Sequence, residues 1–205
     1  MRAQAGGVVL CGGQSSRMGR PKAWLPFDGE LMLPRVVRIL REVVEPVIVV
    51  AARDQNLPPL PEEVEIVRDE EEGRGPLQGL AAGLDALHGK TDAAFVSACD
   101  VPLLKSAFIR RMIDRLGENF IAVPRVDGLL HPLAAVYRVA VLPHVRALLT
   151  ADRRRTALLF DAVPTRFVEK EELAEVDPEL ESLRNLNYPA DYELALRKED
   201  DERTS

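Results

Sequence analysis

The hydrophobic positions of the chain form two patterns that alternate along it. Short apolar runs, mostly of Val, Leu, Ile and Ala, are typical of strands buried in a sheet. They occur at residues 7–11, 47–51, 64–67, 93–98, 120–123, 132–137 and 166–168. Segments with apolar side chains three and four positions apart are typical of amphipathic helices. They occur at residues 33–44, 76–88, 106–116, 139–149, 155–160 and 190–196.

The order of these elements predicts the fold class. Strand, helix, strand, strand, helix and strand follow one another over the first hundred residues, which is typical of a mostly parallel sheet with right-handed crossovers. The 205 residues suffice for one such α/β domain, and we expect it to span residues 1–198. Residues 14–27 are predicted to be a loop with at most one helical turn, and residues 199–205 a charged, disordered tail.

Charge and cysteine content narrow the class of protein. Acidic residues outnumber basic ones by 33 to 27, giving a formal charge of −6, which disfavours broad binding to nucleic acid. The sequence has no apolar run near the roughly 20 residues of a membrane span and no apolar signal-peptide region. Its two cysteines, Cys11 and Cys99, suggest no disulfide framework. We therefore expect a cytoplasmic protein that binds neither nucleic acid nor membrane.

A glycine-rich, basic segment follows the first predicted strand. Gly12 and Gly13 would let the backbone approach a ligand closely, and Arg17 and Lys22 would supply cations for phosphate oxygens. The spacing matches neither a Walker loop nor G-x-G-x-x-G. An ordinary glycine turn with solvated basic side chains is the alternative, but two cations so close to the glycines favour a phosphate site.

Asp100 follows the predicted strand 93–98, at the edge where open parallel sheets bind ligands. A carboxylate placed there can hold Mg²⁺, which prefers oxygen ligands and often bridges to phosphates. The alternative is that Asp100 caps the next helix. Because Pro102 intervenes and that helix is predicted to begin near Ser106, we favour the metal site.

Two further segments are expected at the same sheet edge. Asp69 follows the third predicted strand, and Gly75-Pro76 would open a helix whose amino terminus suits an anion or a polar base edge. Simple helix capping explains Gly75-Pro76 equally well. Cys11 and Cys99 end strands at this edge too, and we interpret them as small packing residues rather than nucleophiles.

The weaker candidates lie in the second half of the chain. Asn185 and Asn187 either form a turn or contact a ligand. Arg154 and Arg155 either face solvent or hold a phosphorylated acceptor. No His and Cys spacing typical of zinc and no Gly-x-Ser-x-Gly elbow is present in the sequence.

Several of these motifs together resemble the molybdenum cofactor guanylyltransferases. The matching motifs are Leu10-Cys11-Gly12-Gly13, Arg17-Met18-Gly19 with Lys22, Gly75-Pro76-Leu77, Cys99-Asp100-Val101-Pro102, Pro132-Leu133-Ala134-Ala135-Val136-Tyr137 and Asn185-Leu186-Asn187-Tyr188-Pro189. They occur in the family's order over nearly the whole chain. The resemblance implies a single three-layer α/β/α domain with a mostly parallel, Rossmann-like sheet, the nucleotide-diphospho-sugar transferase-like fold.

The resemblance also implies an activity and its partners. It implies Mg²⁺-dependent transfer of GMP from GTP to molybdopterin with release of pyrophosphate. It also implies interaction with molybdenum cofactor biosynthesis proteins or recipient enzymes. Carried over by position, the residues that would contact the nucleotide are Leu10, Cys11, Gly12, Gly13, Lys22, Asp69, Gly75, Pro76 and Asp100. Asp100 would also bind the metal, Arg17 and Lys22 would stabilise the leaving pyrophosphate, and Asn185 and Asn187 would lie near the acceptor or the metal.

Three positions depart from the family's pattern. Pro21 stands where the family often has Asp, Ala52 where it often has Asn, and Tyr188 where Thr is common. Pro21-Lys22 is also similar to the cytidylyltransferases of the same superfamily, whereas Gly12-Gly13 is typical of the guanine-using branch. Two alternatives therefore stand beside GMP transfer: a nucleotidyltransferase that uses CTP or another phosphorylated acceptor, and a nucleotide-binding module without turnover.

Overall fold

The molecule is built around one central β-sheet. The computed structural model describes residues 4–12, 20–69 and 75–204, with side chains as far as Lys198. Within these ranges the sheet contains eight strands. They are β1 (Ala5–Leu10), β4 (Val47–Ala52), β5 (Glu65–Asp69), β6 (Ala93–Ala98), β7 (Ile121–Val126), β8 (Leu129–Leu130), β9 (Ala134–Arg138) and β10 (Thr165–Glu169). Their order is β10-β7-β9-β6-β1-β4-β5, with β8 paired to β7.

Most neighbouring strands in this sheet are parallel. β1 pairs in parallel with β4 and β6, β4 with β5, and β7 with β10, whereas β9 runs antiparallel between β6 and β7. The carboxyl ends of β1, β4, β5 and β6 therefore meet at one edge, where Leu10, Ala52, Asp69 and Ala98 are the last strand residues. The predicted mostly parallel sheet is confirmed.

Helices cover both faces of the sheet. They are α1 (Met32–Arg41), α2 (Pro76–Ala86), α3 (Ser106–Leu116), α4 (Leu142–Thr150), α5 (Ala157–Ala162), α6 (Lys170–Ala174) and α7 (Pro189–Thr204). Successive strand side chains point to opposite faces. Val9 accordingly belongs to the apolar cluster on the face covered by α1 and α3, and Val8 to the cluster on the face covered by α2, α4 and α5. The three-layer α/β/α arrangement that the resemblance implied is confirmed.

The two-residue strands β2 (Pro26–Phe27) and β3 (Glu30–Leu31) form a hairpin that the sequence analysis missed. Asp28 and Gly29 form its turn with φ of 49° and 77°, as the Asp-Gly pair of a tight hairpin requires. Just before it, the single helical turn expected in residues 14–27 is present as a 3-10 helix at Lys22–Trp24.

In the second half of the chain, the structure differs from the predictions at the start of β9, at a short helix that was missed and at the end of the last helix. The turn at Asp127-Gly128 joins β7 to the short β8, and β9 begins only at Ala134. Helix α6 was missed, although Glu169 and Glu172 form a capping box at its start. Helix α7 continues to Thr204, so its predicted end at Leu196 is wrong and it includes residues expected in a disordered tail.

In the described ranges, no helix combines the length and apolar character needed to span a bilayer. The longest, α7, carries many charged residues.

Candidate active site

Three segments far apart in sequence are packed together by a small apolar core beside the sheet. Leu25 follows the 3-10 helix, Leu103 follows β6, and Leu186 precedes α7, and all three are buried in one cluster. Phe27, Met32 and Ala195 complete this cluster. Because Lys22, Asp100 and the pair Asn185 and Asn187 lie within three residues of these leucines, packing of the leucines brings the polar side chains together.

Both oxygens of the Asp100 carboxylate are hydrogen-bonded inside this assembly. Lys22 Nζ donates to Asp100 Oδ2 at 2.6 Å, and Asn185 Nδ2 donates to Asp100 Oδ1 at 2.7 Å. The side chains of Lys22 and Asp100 are only 16% and 11% exposed. The N-cap of α3 is Lys105, so Asp100 does not cap that helix. Asp100 is therefore the centre of a polar cluster at the carboxyl end of β6.

The loop before α7 contributes to the cluster through both backbone and side chains. The Leu186 amide donates to the Asp100 carbonyl at 2.9 Å, and the Asn187 amide donates to the Asn185 carbonyl at 3.1 Å. Asn187 Oδ1 accepts from Lys22 Nζ at 2.7 Å. The two asparagines thus form a tight turn, and their side chains also contact Lys22 and Asp100, whereas contact with a ligand stays a prediction.

A charged network supports the loop from behind. Lys105 Nζ lies 2.9 Å from Asp177 Oδ1 and 2.8 Å from Glu181 Oε2, and Lys198 of α7 also donates to Glu181. Burial by itself would raise the pKa of Glu181, but the hydrogen bonds from Lys105 and Lys198 outweigh it and lower that pKa. Ser182 joins the network, because its Oγ accepts from the Lys105 amide at 3.0 Å. These contacts anchor the segment that leads into Asn185.

The end of β1 lies at the same sheet edge as Asp100. The Cys99 amide donates to the Leu10 carbonyl at 3.1 Å, and the Cys11 amide donates to the Val50 carbonyl at 2.8 Å. Gly12 is exposed, and apart from its chain neighbours no atom of the described residues lies within 4 Å of the position that a Cβ would take there. Among Leu10, Cys11 and Gly12, the open backbone is therefore at Gly12. Gly13 and Arg17 lie outside the described residues.

Cys11 and Cys99 are both buried and reduced. A hydrogen bond with the Cys11 thiol, together with burial, raises the pKa of Cys99 well above the ordinary thiol value. A thiol that stays protonated is a poor nucleophile, which agrees with our interpretation of Cys99 as a packing residue.

Asp69, Gly75 and Pro76, the candidates from the third strand and the following helix, lie on either side of a segment outside the described residues. Asp69 is the half-buried last residue of β5 and pairs in register with Ala52, at the carboxyl edge. Gly75 is the N-cap of α2 with φ of 78°, and Pro76 is its first residue, as predicted. Residues 70–74 between them lie outside the described ranges.

The arginines between α4 and α5 are exposed. Arg154 Nε donates to Asp152 at 2.8 Å within the connecting loop. A role for Arg154 and Arg155 toward an acceptor stays a prediction.

Sequence reasoning missed one residue at this edge, Gln55. Its Nε2 donates to the Cys11 carbonyl at 2.9 Å, and its Oε1 accepts from the Ala52 amide at 3.1 Å. The only signal in the sequence was its position three residues after β4, near the carboxyl edge of the sheet.

Two open grooves lie elsewhere, along α2 and α4. The larger, of about 840 Å³, is lined by residues such as Gln4 and Asp92, which precede β1 and β6. The smaller, of about 420 Å³, lies between α2 and α4. Neither is lined by Lys22, Asp100, Asn185 or Asn187, so the grooves are separate from the polar cluster.

Comparison with known proteins agrees with this architecture. A family model described as "MobA-like NTP transferase domain" matches residues 7–165. A "Probable molybdenum cofactor guanylyltransferase" of Mycobacterium ulcerans is 38% identical over 195 residues, 93% of this chain and 92% of that protein.

Solved structures of low sequence identity share the fold. The Archaeoglobus fulgidus "Molybdopterin-guanine dinucleotide biosynthesis protein A" superposes with a TM-score of 0.77 at 21% identity, covering 95% of this chain and 98% of that one. The 2-C-methyl-D-erythritol 4-phosphate cytidylyltransferase of Thermus thermophilus gives a TM-score of 0.71 at 17% identity, covering 94% and 98%.

The fold and these matches define an enzyme of the nucleotidyltransferase class. Within that class, the chain belongs to the MobA-like NTP transferase family, which confirms the resemblance seen in the sequence motifs.

Proposed function

We propose that this enzyme transfers GMP from GTP to molybdopterin and releases pyrophosphate. The observation that carries the proposal is the cluster of Lys22, Asp100, Asn185 and Asn187 at the same carboxyl edge of the sheet as Gly12. The relative from M. ulcerans, whose name specifies guanylyl transfer, supports GTP and a molybdopterin acceptor. Lys22 supplies a cation at the carboxyl edge of the sheet, where open α/β sheets bind ligands, and this cation is suited to phosphate oxygens.

The donor set around Lys22 fits a divalent cation. Asp100 Oδ2 and Asn187 Oδ1 converge on the Lys22 ammonium at 2.6 and 2.7 Å, and oxygen donors that converge on a positive charge suit Mg²⁺. No group of three or more His, Cys, Asp or Glu side chains forms a metal cage in the ranges that the structure describes. Asp100 would therefore hold Mg²⁺ with substrate phosphates and water. When bound, Mg²⁺ neutralises charge on the triphosphate.

The proposed reaction requires little from the chain beyond binding and orientation. An oxygen of the acceptor phosphate forms a bond to the α-phosphorus of GTP, and the bond from that phosphorus to the oxygen bridging the β-phosphorus breaks. The acceptor phosphate is anionic near neutral pH, so no strong general base is needed. Lys22, with Arg17, would stabilise charge on the pyrophosphate, and Asn185 would orient Asp100. Such positioning and charge neutralisation account for most of phosphoryl-type catalysis.

The test is the reaction itself. Incubation of the protein with GTP, MgCl₂ and molybdopterin under anaerobic conditions should yield a dinucleotide detectable by mass spectrometry, with one pyrophosphate for each product. Asp100→Asn is the matched control, because it keeps the shape of the side chain and removes its charge. GTP binding without any product would contradict the proposal and favour a binding module.

A second set of reactions tests the base. CTP is the alternative nucleotide substrate. It is supported by the similarity in fold to the T. thermophilus cytidylyltransferase and by the Pro21-Lys22 pair. Pyrophosphate release should therefore be compared for GTP, CTP, ATP and UTP under identical conditions. We expect GTP to give the highest kcat/KM, and a preference for CTP would overturn the guanylyl assignment while leaving nucleotidyl transfer in place.

A further inference from the structure

Gln55 connects the ends of β1 and β4, two neighbouring strands at the sheet edge where the candidate nucleotide site lies. Its side chain is half-buried in the loop after β4, and both ends of its amide are used. Nε2 donates to the Cys11 carbonyl at 2.9 Å, and Oε1 accepts from the Ala52 amide at 3.1 Å. The amide group thus spans from the end of β4 to the residue that immediately precedes Gly12.

These bonds leave Cys11 with little freedom. Its amide donates to Val50 at 2.8 Å, so both polar backbone groups of Cys11 are fixed by residues of β4 or the loop after it. Gln55 Nε2 also lies 3.5 Å from Cys11 Sγ. Because the carbonyl of Cys11 belongs to the peptide unit that continues into Gly12, fixing this carbonyl sets the direction in which the backbone enters the glycine pair.

The same loop also contacts the far side of the glycine-rich segment. Trp24 lies two residues after Lys22, and its Nε1 donates to the Asn56 carbonyl at 3.0 Å. Gln55 and Asn56 therefore contact residues on both sides of the stretch that runs from Gly12 to Lys22.

The loop is itself held from the neighbouring strand. Arg68 of β5 donates to the Ala52 carbonyl at 3.1 Å and to the Gln55 carbonyl at 2.7 Å. Gln55 is thus held by hydrogen bonds from both β4 and β5. Its side-chain amide can therefore act as a fixed support rather than as a mobile surface group.

We propose that Gln55 is a positioning residue for nucleotide binding, acting through the Cys11 carbonyl and contacting no substrate itself. The proposal rests on the proposed function only in placing a nucleoside triphosphate against the backbone at Gly12. Loss of the support would let the backbone at Gly12 sample other directions, and ligand binding would have to select the correct one. The loss should therefore appear in nucleotide affinity and little in the chemical step.

Two variants separate the two bonds of the amide. Gln55→Met keeps the length of the side chain and removes both bonds. Gln55→Glu keeps an acceptor for the Ala52 amide but faces the Cys11 carbonyl with a carboxylate oxygen instead of a donor. Asp54→Ala, at an exposed neighbour in the same loop, is the control. The Kd for GTP is measured by calorimetry, kcat and KM by pyrophosphate release, and folding by thermal denaturation.

We expect both Gln55 variants to raise the Kd and KM for GTP by roughly tenfold, the size of effect that one lost internal hydrogen bond produces. The kcat should change less than twofold, and Asp54→Ala should match the wild type. Unchanged Kd and KM in folded Gln55 variants would overturn the proposal, as would a fall in kcat alone. If the wild type binds CTP instead of GTP, the comparison is made with CTP. If it binds no nucleoside triphosphate, the proposed function fails first, and this inference fails with it.

Discussion

Lys22 and Asp100 form an ion pair of 2.6 Å between residues that are 78 positions apart in the chain. One comes from a 3-10 helix that follows the glycine-rich segment, and the other from the end of β6. Both side chains are largely shielded from water, at 16% and 11% exposure. This ion pair lies at the carboxyl edge of the sheet, where we propose that a phosphate ligand and a cation bind.

Removal of one member of this pair should cost more than removal of both. Lys22→Met leaves the Asp100 carboxylate without its cation, and we expect a loss of about 2 kcal/mol, between the values for exposed and fully buried pairs. The double variant Lys22→Met/Asp100→Asn leaves no uncompensated charge and should recover at least half of that loss. Denaturant unfolding of the wild type, both single variants and the double variant measures the coupling. Strictly additive losses would mean that the pair contributes nothing.

The same variants behave differently in an activity assay. Asp100→Asn should lower kcat by roughly a hundredfold or more at saturating Mg²⁺, because a neutral amide is a poor ligand for a hard cation. The double variant should be as inactive as the single ones although it is more stable. Wild-type turnover by Asp100→Asn would contradict the metal-site assignment.

Asn185 should matter through Asp100. Its Nδ2 donates to Asp100 Oδ1 at 2.7 Å, and hydrogen bonds to charged groups contribute about 1.5–3 kcal/mol. Asn185→Ala should therefore lower kcat/KM by roughly ten- to a hundredfold and raise the Mg²⁺ concentration needed for half-maximal rate. Asn119→Ala is the control, because Asn119 donates to the Leu116 carbonyl in the turn between α3 and β7. A normal Mg²⁺ dependence in Asn185→Ala would contradict an orienting role.

Much of the fold was predictable because it depends on short-range patterns. Buried strands such as β6, with six consecutive buried residues, differ clearly from amphipathic helices such as α1. The misses are the elements with few residues. The hairpin at Pro26–Leu31 has two residues in each strand, and only its Asp28-Gly29 turn carries a signal. Helix α6 has five residues, too few for an apolar period to appear.

The sequence indicated which residues form the polar cluster of the candidate site, but not which hydrogen bonds they make with one another. Motif resemblance and the carboxyl-edge rule together selected Lys22, Asp100 and Asn185. Their hydrogen bonds depend on how the Leu25, Leu103 and Leu186 side chains pack, which no local pattern encodes. Gln55 escaped notice for the same reason, since a polar residue in a polar loop has no periodicity and its partner lies 44 positions earlier.

The charged network around Glu181 should make the free energy of unfolding depend on pH in the acidic range. Burial opposes the ionised form of Glu181, but hydrogen bonds from Lys105 and Lys198 lower the pKa of Glu181 below its ordinary value of 4.5. A carboxylate with a lowered pKa in the folded state stabilises the fold above pH 4.5, and this contribution is lost as pH falls through the folded pKa. The Tm of the wild type should therefore fall more steeply than that of Glu181→Gln as the pH falls below 4.5.

Glu179→Gln is the comparison for this pH series, because Glu179 is exposed and lies two residues from Glu181. We expect its Tm profile to follow the wild type throughout. Parallel profiles for the wild type and Glu181→Gln would mean that the network does not favour the ionised carboxylate.

The packing of α2 on β1 should make two nearby glycines respond oppositely to alanine. A Cβ at Gly83 would lie 2.5 Å from Val8 Cγ1, whereas a Cβ at Gly79 would meet the flexible end of Leu10 at 3.2 Å. Alanine in a helix gains about 1 kcal/mol over glycine, but overpacking costs about 1–3 kcal/mol. Gly83→Ala should therefore lose about 1–2 kcal/mol, and Gly79→Ala should be neutral or stabilising. Because Val8→Ala removes the clashing methyl groups, Gly83→Ala should be less harmful in that background, and equal losses in both backgrounds would refute the steric explanation.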